Sequence, residues 1–248
     1  MTTSLLKVGG AHLDDPRFLD GLLSRVRELT EHGSVVVVHG GGKQIGALQR
    51  RLGLDQRKVD GLRATSRDDM AVVSMVLCGL VNKRIVAHFN HNGLNTLGVC
   101  GADGALLRAP FYGTGELGRV GDAPQVDEIV LEDLLELHDV VVLAPVRQAP
   151  DGGLLNVNAD TVAQAVAVAL GVEEFEFVTD VDAVHTEDGP APTLNSDDVQ
   201  RLITLEIVDG GMLPKMEAAL AALDGGVPRV RVGSLESLTD GGGTEVVA

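Results

Sequence analysis

The chain has 248 residues, a formal net charge of −16, no tryptophan and one tyrosine. So acidic a chain, with so few aromatic rings to stack on bases, is not suited to general binding of nucleic acids or anionic membranes. Its length and its hydrophobic content of 44% allow one large domain or two small lobes.

The cysteines and the lack of targeting patterns bear on the location of the protein. Cys78 and Cys100 provide no disulfide framework, which indicates a reducing compartment. The N-terminus has no secretory pattern, and no apolar run looks long enough to span a bilayer. We therefore expect a cytoplasmic protein with no membrane and no nucleic-acid partner.

A strand followed by a helix opens the chain. The strand from Leu5 to Val8 contains Lys7 and ends in Gly9 and Gly10. A lysine within a core strand must be paired or solvated. Lys7 is therefore either an edge residue that reaches water or a cation directed at a ligand. Residues 15–31 carry apolar side chains at helical spacing and are predicted to form a helix.

The second strand is the most distinctive stretch of the sequence. The valines from Val35 to Val38 are apolar on both faces of the strand, as in the interior of a parallel sheet. Gly40, Gly41 and Gly42 follow His39 and bring backbone N–H groups to the carboxyl end of this strand. Such donors, leading into a helix, favour an anion site over a plain turn. The loop is not a P-loop, since no Gly-x4-Gly-Lys-Ser/Thr string exists.

A hairpin and a long helix are predicted next. Asp60-Gly61, between short alternating stretches of residues 57–65, indicates a hairpin that forms a lid near the pocket. Arg63 follows this turn and is either a solvated charge or a group for bidentate capture of a carboxylate. Residues 66–90 form a long helix with apolar positions on more than one face, which favours self-association over burial within the monomer.

The middle of the chain ends in a cluster of polar residues. The predicted elements before it are a strand over 94–99, a glycine-rich loop or hairpin over 109–127, a helix over 129–137 and a strand over 140–145. Asn156, Asn158 and Asp160 then stand at alternate positions before an alanine-rich helix over 161–170. Capping of that helix explains one such residue, and three together favour a polar site.

The C-terminal part is predicted to form a second lobe, which begins near the helix at Thr161. Residues 176–180 form a strand that ends in Thr179 and Asp180. Lys215 lies near the start of a later helix, where the helix dipole disfavours a cation unless an anion is bound. The chain ends in a glycine turn and a strand predicted to lie at the edge of the sheet.

An ordered set of short motifs resembles a known family. The motifs are Lys7-Val-Gly-Gly10, His39-Gly-Gly-Gly42, Gly61-Leu-Arg63, Val81-Asn-Lys83, Asn156-Val-Asn-Ala-Asp160, Thr179-Asp-Val181 and Gly210-Gly-Met-Leu-Pro-Lys215. In this order they resemble the amino acid kinase family and, within it, the N-acetylglutamate kinases of arginine biosynthesis. The resemblance covers nearly the whole chain.

This resemblance implies a fold and a reaction. The fold would be α/β, a three-layer αβα sandwich on a mostly parallel central sheet, like that of carbamate kinases. An N-lobe, residues 1–160, would bind the acyl acceptor and form a homodimer through the helix 66–90. A C-lobe, residues 161–248, would bind ATP with Mg²⁺. The reaction would transfer the γ-phosphoryl group of ATP to the γ-carboxylate of N-acetyl-L-glutamate.

The resemblance also implies roles for individual residues. Lys7 and Lys215 would be catalytic, and Asp160 would organise them. No residue is assigned as a metal ligand, and His39 is expected to be structural. The binding residues would be Gly9, Gly10, Gly41 and Gly42 for phosphate, Gly41, Gly42, Arg63 and Asn156 for substrate, and Thr179, Asp180 and Val181 for the nucleotide.

The departures from the family pattern leave two other functions open. Ala64 follows Gly-Leu-Arg where the family usually has valine, which changes little. Arginine-inhibited members carry an extra N-terminal helix that builds hexamers, so we expect a dimer that arginine does not inhibit. One alternative is a kinase for 2-aminoadipate or glutamate attached to an amino-group carrier protein. The other is a non-catalytic ligand sensor. The charge of −16 disfavours an acidic carrier, and the presence of Lys7, Asp160 and Lys215 disfavours a sensor.

Overall fold

The computed structural model describes residues 2–59 and 62–247. The strands are β1 (Thr2–Val8), β2 (Gly33–His39), β3 (Lys58–Val59), β4 (Leu62–Arg63), β5 (Thr96–Cys100), β6 (Leu107–Arg108), β7 (Gln125–Val126), β8 (Val140–Ala144), β9 (Val146–Gln148), β10 (Leu154–Asn156), β11 (Glu174–Thr179), β12 (His185–Thr186), β13 (Gly189–Pro190), β14 (Thr193–Leu194), β15 (Val230–Ser234) and β16 (Thr244–Val246). The helices are α1 (Pro16–Thr30), α2 (Gly42–Arg51), α3 (Arg67–Ser74), α4 (Asn82–His91), α5 (Glu128–Leu137), α6 (Ala159–Leu170), α7 (Ser196–Thr204), α8 (Leu213–Asp224) and α9 (Leu235–Thr239).

An eight-stranded sheet forms the centre of the molecule. Its order is β14-β16-β15-β11-β1-β2-β8-β5, and all neighbouring pairs are parallel except β15 with β16. Because parallel strands end at the same edge, the loops after Val8, His39 and Ala144 meet there. The prediction of an α/β fold with a mostly parallel sheet is confirmed.

The valine run of β2 explains the three layers. Val36 and Val38 pack in a core that contains side chains of α5, α6 and α8. Val35 and Val37 face the opposite core, which contains side chains of α1 and of the helices α3 and α4. Successive strand residues point to opposite faces, so a strand that is apolar throughout requires a cover on both sides.

Three local predictions are refined by the structure. The last strand, β16, is not at the edge, because the two-residue strand β14 pairs with it and lies outside it. The sequence predicts a helix over residues 45–52, whereas α2 begins at Gly42, since the Ile45 N–H already donates to the Gly41 carbonyl. The predicted hairpin is confirmed as the antiparallel pair β3 and β4, whereas its turn, Asp60-Gly61, lies outside the described residues.

A π-helical segment, Met75–Val81, joins α3 and α4 into one long helix, Arg67–His91. The expectation that no apolar run is long enough to span a bilayer was wrong, because this helix is long and apolar enough to do so. This helix has 25 residues and a most apolar window with a mean hydropathy of 1.7. Its buried face packs in the core against β8, with Ile85 and Phe89 fully enclosed. Packing within the core therefore accounts for much of this apolar character.

Buried charges tie α1 to strands on the far half of the sheet. Arg25 of α1 donates to both carboxylate oxygens of Glu176 in β11, and Arg231 of β15 donates to the same carboxylate. Removing one partner of such a buried group leaves an uncompensated charge. The proposed lobe boundary at residue 160 falls within α6, and the sheet continues on both sides of it. The division into lobes stays a prediction.

Candidate active site

A cleft of about 370 Å³ opens at the carboxyl edge of the sheet. It brings together most of the residues that the sequence singled out. Those that line it are Lys7, Gly9, Gly10, Gly41, Gly42, Arg63, Asn156, Asp160 and Lys215. The cleft has the size of a site for a small molecule, and its polar side chains and glycine N–H groups come from five separate stretches of the chain.

The two glycine turns approach each other closely within this cleft. A β-carbon at Gly10 would lie 2.6 Å from both the Cα and the N atoms of Gly41, so no side chain fits there. The Gln44 side chain fixes this approach by donating to the Gly10 carbonyl at 2.7 Å. At Gly41 a β-carbon would lie 2.5 Å from Leu77 of the long helix. The glycine pattern thus follows from close packing as well as from the exposed backbone that an anion needs.

Lys7 and Asp160 form a buried ion pair. The Lys7 Nζ atom lies 2.8 Å from Oδ1 of Asp160, and both side chains are nearly excluded from solvent. Asn158 caps α6 by accepting the Asp160 backbone N–H at 2.7 Å, which places Asp160 in the first turn of the helix. A carboxylate in that turn interacts favourably with the helix dipole. The role of an edge lysine is thereby ruled out for Lys7.

Lys215 lies beside this pair but is not bound to it. Its Nζ atom donates to the Gly211 carbonyl at 2.7 Å, and no carboxylate among the described residues lies within 4.0 Å of it. Burial lowers the pKa of Lys215, and the charge of Lys7 lowers this pKa further, whereas Asp160 and Asp180 oppose the shift. Asp160 therefore pairs with one lysine and stabilises the charge of the other from a distance.

A chain of side chains positions Arg63 on the opposite wall. Its Nη1 atom donates to Gln49 Oε1 at 2.6 Å, and its Nη2 atom donates to the Gly42 carbonyl at 3.0 Å. Gln49 in turn donates to Asp69 at 2.5 Å, and Asp69 also completes the capping box of α3 with Ser66. Burial lowers the pKa of Arg63, and the Asp69 charge opposes this effect. The guanidinium is thus held in one orientation at the cleft.

His39 supports the glycine turn from beneath. It is fully buried, and its Nδ1 atom lies 3.0 Å from the Gly40 carbonyl while Asn82 Nδ2 lies 3.3 Å from its Nε2 atom. This network assigns the proton of a neutral ring to Nδ1, because the Asn82 amide can only donate to Nε2. Burial lowers the pKa of His39 to about 4, and the nearby charge of Lys83 adds to the effect. The environment fits the expected structural role.

The neutral state of His39 predicts an acid-sensitive fold. Between its ordinary pKa of 6.5 and about 4, the unfolded chain binds a proton that the folded chain does not. The stabilisation is therefore complete above pH 6.5 and declines as the pH falls towards 4, by about 3 kcal/mol in total. Urea unfolding of the protein and of His39→Gln across this range should show a larger loss for the unchanged protein. Equal losses in both would contradict the assignment.

The residues expected at the nucleotide do not line this cleft. Thr179 ends β11, Asp180 is exposed, and both line a neighbouring cavity of about 610 Å³, while Val181 is half-buried just after them. Asp180 nevertheless influences the pKa of Lys215, so its charge lies within electrostatic reach of the cleft. Their assignment to the nucleotide stays a prediction.

Sequence reasoning missed several cleft residues. Lys58 faces Arg63 across the β3–β4 hairpin, and a register count from the predicted turn would have placed them together. Val120 and Pro145 also line the cleft, and they lie in connecting segments without a distinctive pattern. No periodicity marks such residues, because tertiary pairing, such as that of Val120 with Asn156, brings this loop to the site.

The sequence profile of the amino acid kinase family matches residues 2–234. The chain belongs to this family. A curated relative from Chloroflexus aurantiacus, named acetylglutamate kinase, is 46% identical over 97% of this chain and 95% of its own length. The structure of smu.665 from Streptococcus mutans superposes with a TM-score of 0.88 at 31% identity, covering 99% of this chain and 98% of that one.

A more distant structure shows the same fold. The carbamate kinase of Giardia lamblia bound to AMP-PNP has a TM-score of 0.70 at 16% identity, covering 99% of this chain and 98% of that one. At this identity the likeness concerns the fold alone. The predicted family and the αβα sandwich are therefore confirmed together.

Proposed function

We propose that the protein uses MgATP to phosphorylate the γ-carboxylate of N-acetyl-L-glutamate, a step of arginine biosynthesis in the cytoplasm. The observation that carries this proposal is the meeting of Lys7, Asp160 and Lys215 with the two glycine turns in one cleft. The acetylglutamate kinases that match nearly the full chain support the choice of acceptor.

The charges of the cleft suit a carboxylate acceptor. A carboxylate has an ordinary pKa of about 4.3, so it is ionised at neutral pH and needs no general base. The difficulty is to bring it onto an anionic phosphate, since like charges ~4 Å apart repel by about 4 kcal/mol at an effective dielectric constant of ~20. Two lysines and backbone N–H groups reduce this repulsion where the charge develops. The cleft offers both.

The proposed roles divide between the cleft and the neighbouring cavity that Thr179 and Asp180 line. Arg63 and Asn156, with the N–H groups of Gly41 and Gly42, would hold the acceptor in the N-lobe, residues 1–160. Thr179, Asp180 and Val181 would contact the nucleotide in the C-lobe, residues 161–248, while Gly9 and Gly10 would face the transferred phosphoryl group. Lys7 and Lys215 would then lie on either side of that group.

A divalent cation would arrive on the nucleotide. No cluster of three or more His, Cys, Asp or Glu side chains suited to a metal occurs among residues 2–59 and 62–247. Asp160, the carboxylate in the cleft, is paired with Lys7. This arrangement fits a Mg²⁺ ion that is bound mainly by the phosphate oxygens of the nucleotide, as is usual in kinases. The ion would supply further neutralisation of the phosphate charge.

The hydrogen bonds that link Arg63 to Asp69 through Gln49 should affect the binding of the acceptor more than the rate of phosphoryl transfer. In Gln49→Leu, Arg63 loses its 2.6 Å acceptor and Asp69 loses a donor. We expect KM for N-acetyl-L-glutamate to rise about tenfold with kcat little changed, since a hydrogen bond to a charged group contributes about 1.5–3 kcal/mol. Steady-state kinetics of this variant and of Gln56→Leu, an exposed glutamine in the loop that follows α2, would distinguish the two outcomes. A fall in kcat alone would contradict this role.

The long helix is proposed to join two copies of the chain. Its exposed stripe carries Ala71, Met75, Gly79 and Leu80, and Met75 is 62% exposed. Small and apolar residues along one stripe suit close packing against a symmetry-related helix. Met75→Glu should convert the dimer to a monomer in light scattering after gel filtration. Leu52→Glu, equally exposed on another surface, should remain dimeric. A dimer in both variants would exclude this interface.

The acceptor can be tested directly by trapping the acyl phosphate with hydroxylamine. MgATP would be offered with N-acetyl-L-glutamate, N-acetyl-L-2-aminoadipate or free glutamate, and ADP release followed in parallel. Hydroxamate from N-acetyl-L-glutamate alone is the expected result. Turnover of the aminoadipate would move the reaction to lysine biosynthesis. ATP binding without turnover of any acceptor would favour a carrier-bound substrate or a sensor.

A further inference from the structure

Arg147 lies in a second cavity, separate from the active cleft. It is the middle residue of β9 and pairs with Leu155 of β10. Its side chain is among the largest that are fully enclosed, with 2% of the residue exposed. The second cavity, of about 540 Å³ and here called the Arg147 cavity, shares no lining residue with the active cleft.

The guanidinium of Arg147 is poorly satisfied. Its Nε atom has no hydrogen-bond partner within the described part of the chain. Its Nη2 atom reaches the Pro110 carbonyl at 3.4 Å, and that oxygen already accepts the Asp122 backbone N–H at 3.2 Å. No carboxylate among the described residues lies within 4.0 Å, although a guanidinium carries five N–H donors. Burial of an unpaired charge is costly, so this group needs an anionic partner.

Asp122 shares the Pro110 carbonyl with Arg147 but forms no ion pair with it. The carboxylate of Asp122 accepts the N–H of Ala123 at 2.8 Å and forms no ion pair. Burial lowers the pKa of Arg147 without a compensating acid. A guanidinium stays protonated in proteins, so the positive charge persists at neutral pH. The described part of the chain therefore supplies no acid to balance this buried charge.

The walls of the Arg147 cavity indicate the kind of ligand. Leu107, Ala109, Pro110 and Ala149 form an apolar surface, and Gln125 adds a side-chain amide. Among the described residues, the charged side chains on its lining are two arginines and no acid, in a chain of net charge −16. An apolar wall with few polar groups is typical of a small-molecule site.

We propose that the Arg147 cavity binds a small organic carboxylate, whose two oxygens pair with the guanidinium of Arg147 while its apolar part contacts Leu107 and Pro110. The planar fork of arginine matches a carboxylate in bidentate geometry. A single buried cation balances one negative charge, which favours a monocarboxylate over a phosphate dianion. Arg108, which also lies at the lining, is largely exposed and is 3.5 Å from the Asp127 carboxylate, so Arg147 is the cation that lacks an acid partner among the described residues.

Calorimetric titration with sodium butyrate tests this site in the full-length protein. Butyrate is expected to bind, and neutral butyramide of the same shape is not. Binding should weaken about tenfold or more in Arg147→Met, because a charge-assisted hydrogen bond is lost. Arg147→Lys keeps the charge without the fork and should bind at an intermediate level. Ala123→Leu, which narrows the mouth without touching Arg147, should also weaken binding.

The controls separate this site from the active cleft. Arg63→Met removes the carboxylate-binding group proposed for the acceptor and should leave butyrate binding unchanged. Loss of binding in Arg63→Met, with retention in Arg147→Met, would overturn the inference and place the anion in the cleft. Binding of inorganic phosphate in preference to butyrate would also overturn it. Thermal unfolding of Arg147→Met and Arg147→Lys verifies that both variants are folded.

Discussion

Replacing Lys215 with alanine is expected to lower kcat for N-acetyl-L-glutamate about 10³-fold, since one stabilising donor at a reacting centre contributes on the order of 10²–10³. Unlike Lys7, Lys215 has no carboxylate within 4.0 Å among the described residues, and its ammonium donates to the Gly211 carbonyl. An ammonium that is not neutralised by a carboxylate stabilises developing negative charge most effectively. The loss should appear in kcat rather than in ATP binding.

The rate of hydroxamate formation, together with ATP titration, measures this effect. Lys43→Ala is the matched control. Lys43 is an exposed lysine directly after the glycine turn Gly40–Gly42, and its Nζ atom donates to the Ala11 carbonyl. That variant should keep nearly full activity. A Lys215→Ala enzyme within tenfold of the unchanged protein would remove Lys215 from the proposed chemistry.

Asp160→Asn should lower kcat about 10²-fold and shift the alkaline limb of the pH profile. Without this carboxylate, Lys7 loses its 2.8 Å partner and two ammonium groups remain close together. Asp160 raises the pKa of Lys215, so its removal lowers that pKa. A lysine that acts when protonated then loses its proton at a lower pH, and the rate begins to fall at a lower pH.

The comparison requires kcat/KM for both enzymes from neutral to alkaline pH, because a lysine whose pKa is lowered loses its proton at a lower pH than an ordinary lysine. Asp20→Asn controls for the change of net charge, since Asp20 is exposed on α1 and lies outside the cleft. An unchanged alkaline limb in Asp160→Asn would show that Lys215 does not depend on this carboxylate. A limb displaced to higher pH would contradict the sign of the interaction.

Local patterns made most of the fold predictable. The valines of β2 are apolar on both faces, which requires a strand covered on two sides, and the structure places a core on each face. Spatial order was harder to predict. The two-residue strand β14 leaves no periodic signal, so the sequence placed β16 at the edge that β14 covers.

The residues of the candidate site were likewise predictable only in part. Lys7, Asp160 and the glycine turns stand out because charge in a strand and repeated glycines violate ordinary core patterns. The orientation of Arg63 was not predictable, since it depends on Gln49 and Asp69 from different helices. Arg147 also escaped notice, because a lone arginine in a short strand looks like a surface residue until tertiary structure encloses it.

Because β1 lies at the centre of the sheet, it needs a partner strand on each edge, and these partners are synthesised at very different times. Its N-terminal residues are made first, and β2 can cover one edge soon afterwards. The other edge pairs Ser4 with Glu174, so it stays open until most of the chain has left the ribosome. An unpaired parallel edge with apolar neighbours invites association with other chains. Synthesis therefore passes through a long interval in which one edge of the central strand has no partner and can associate with other chains.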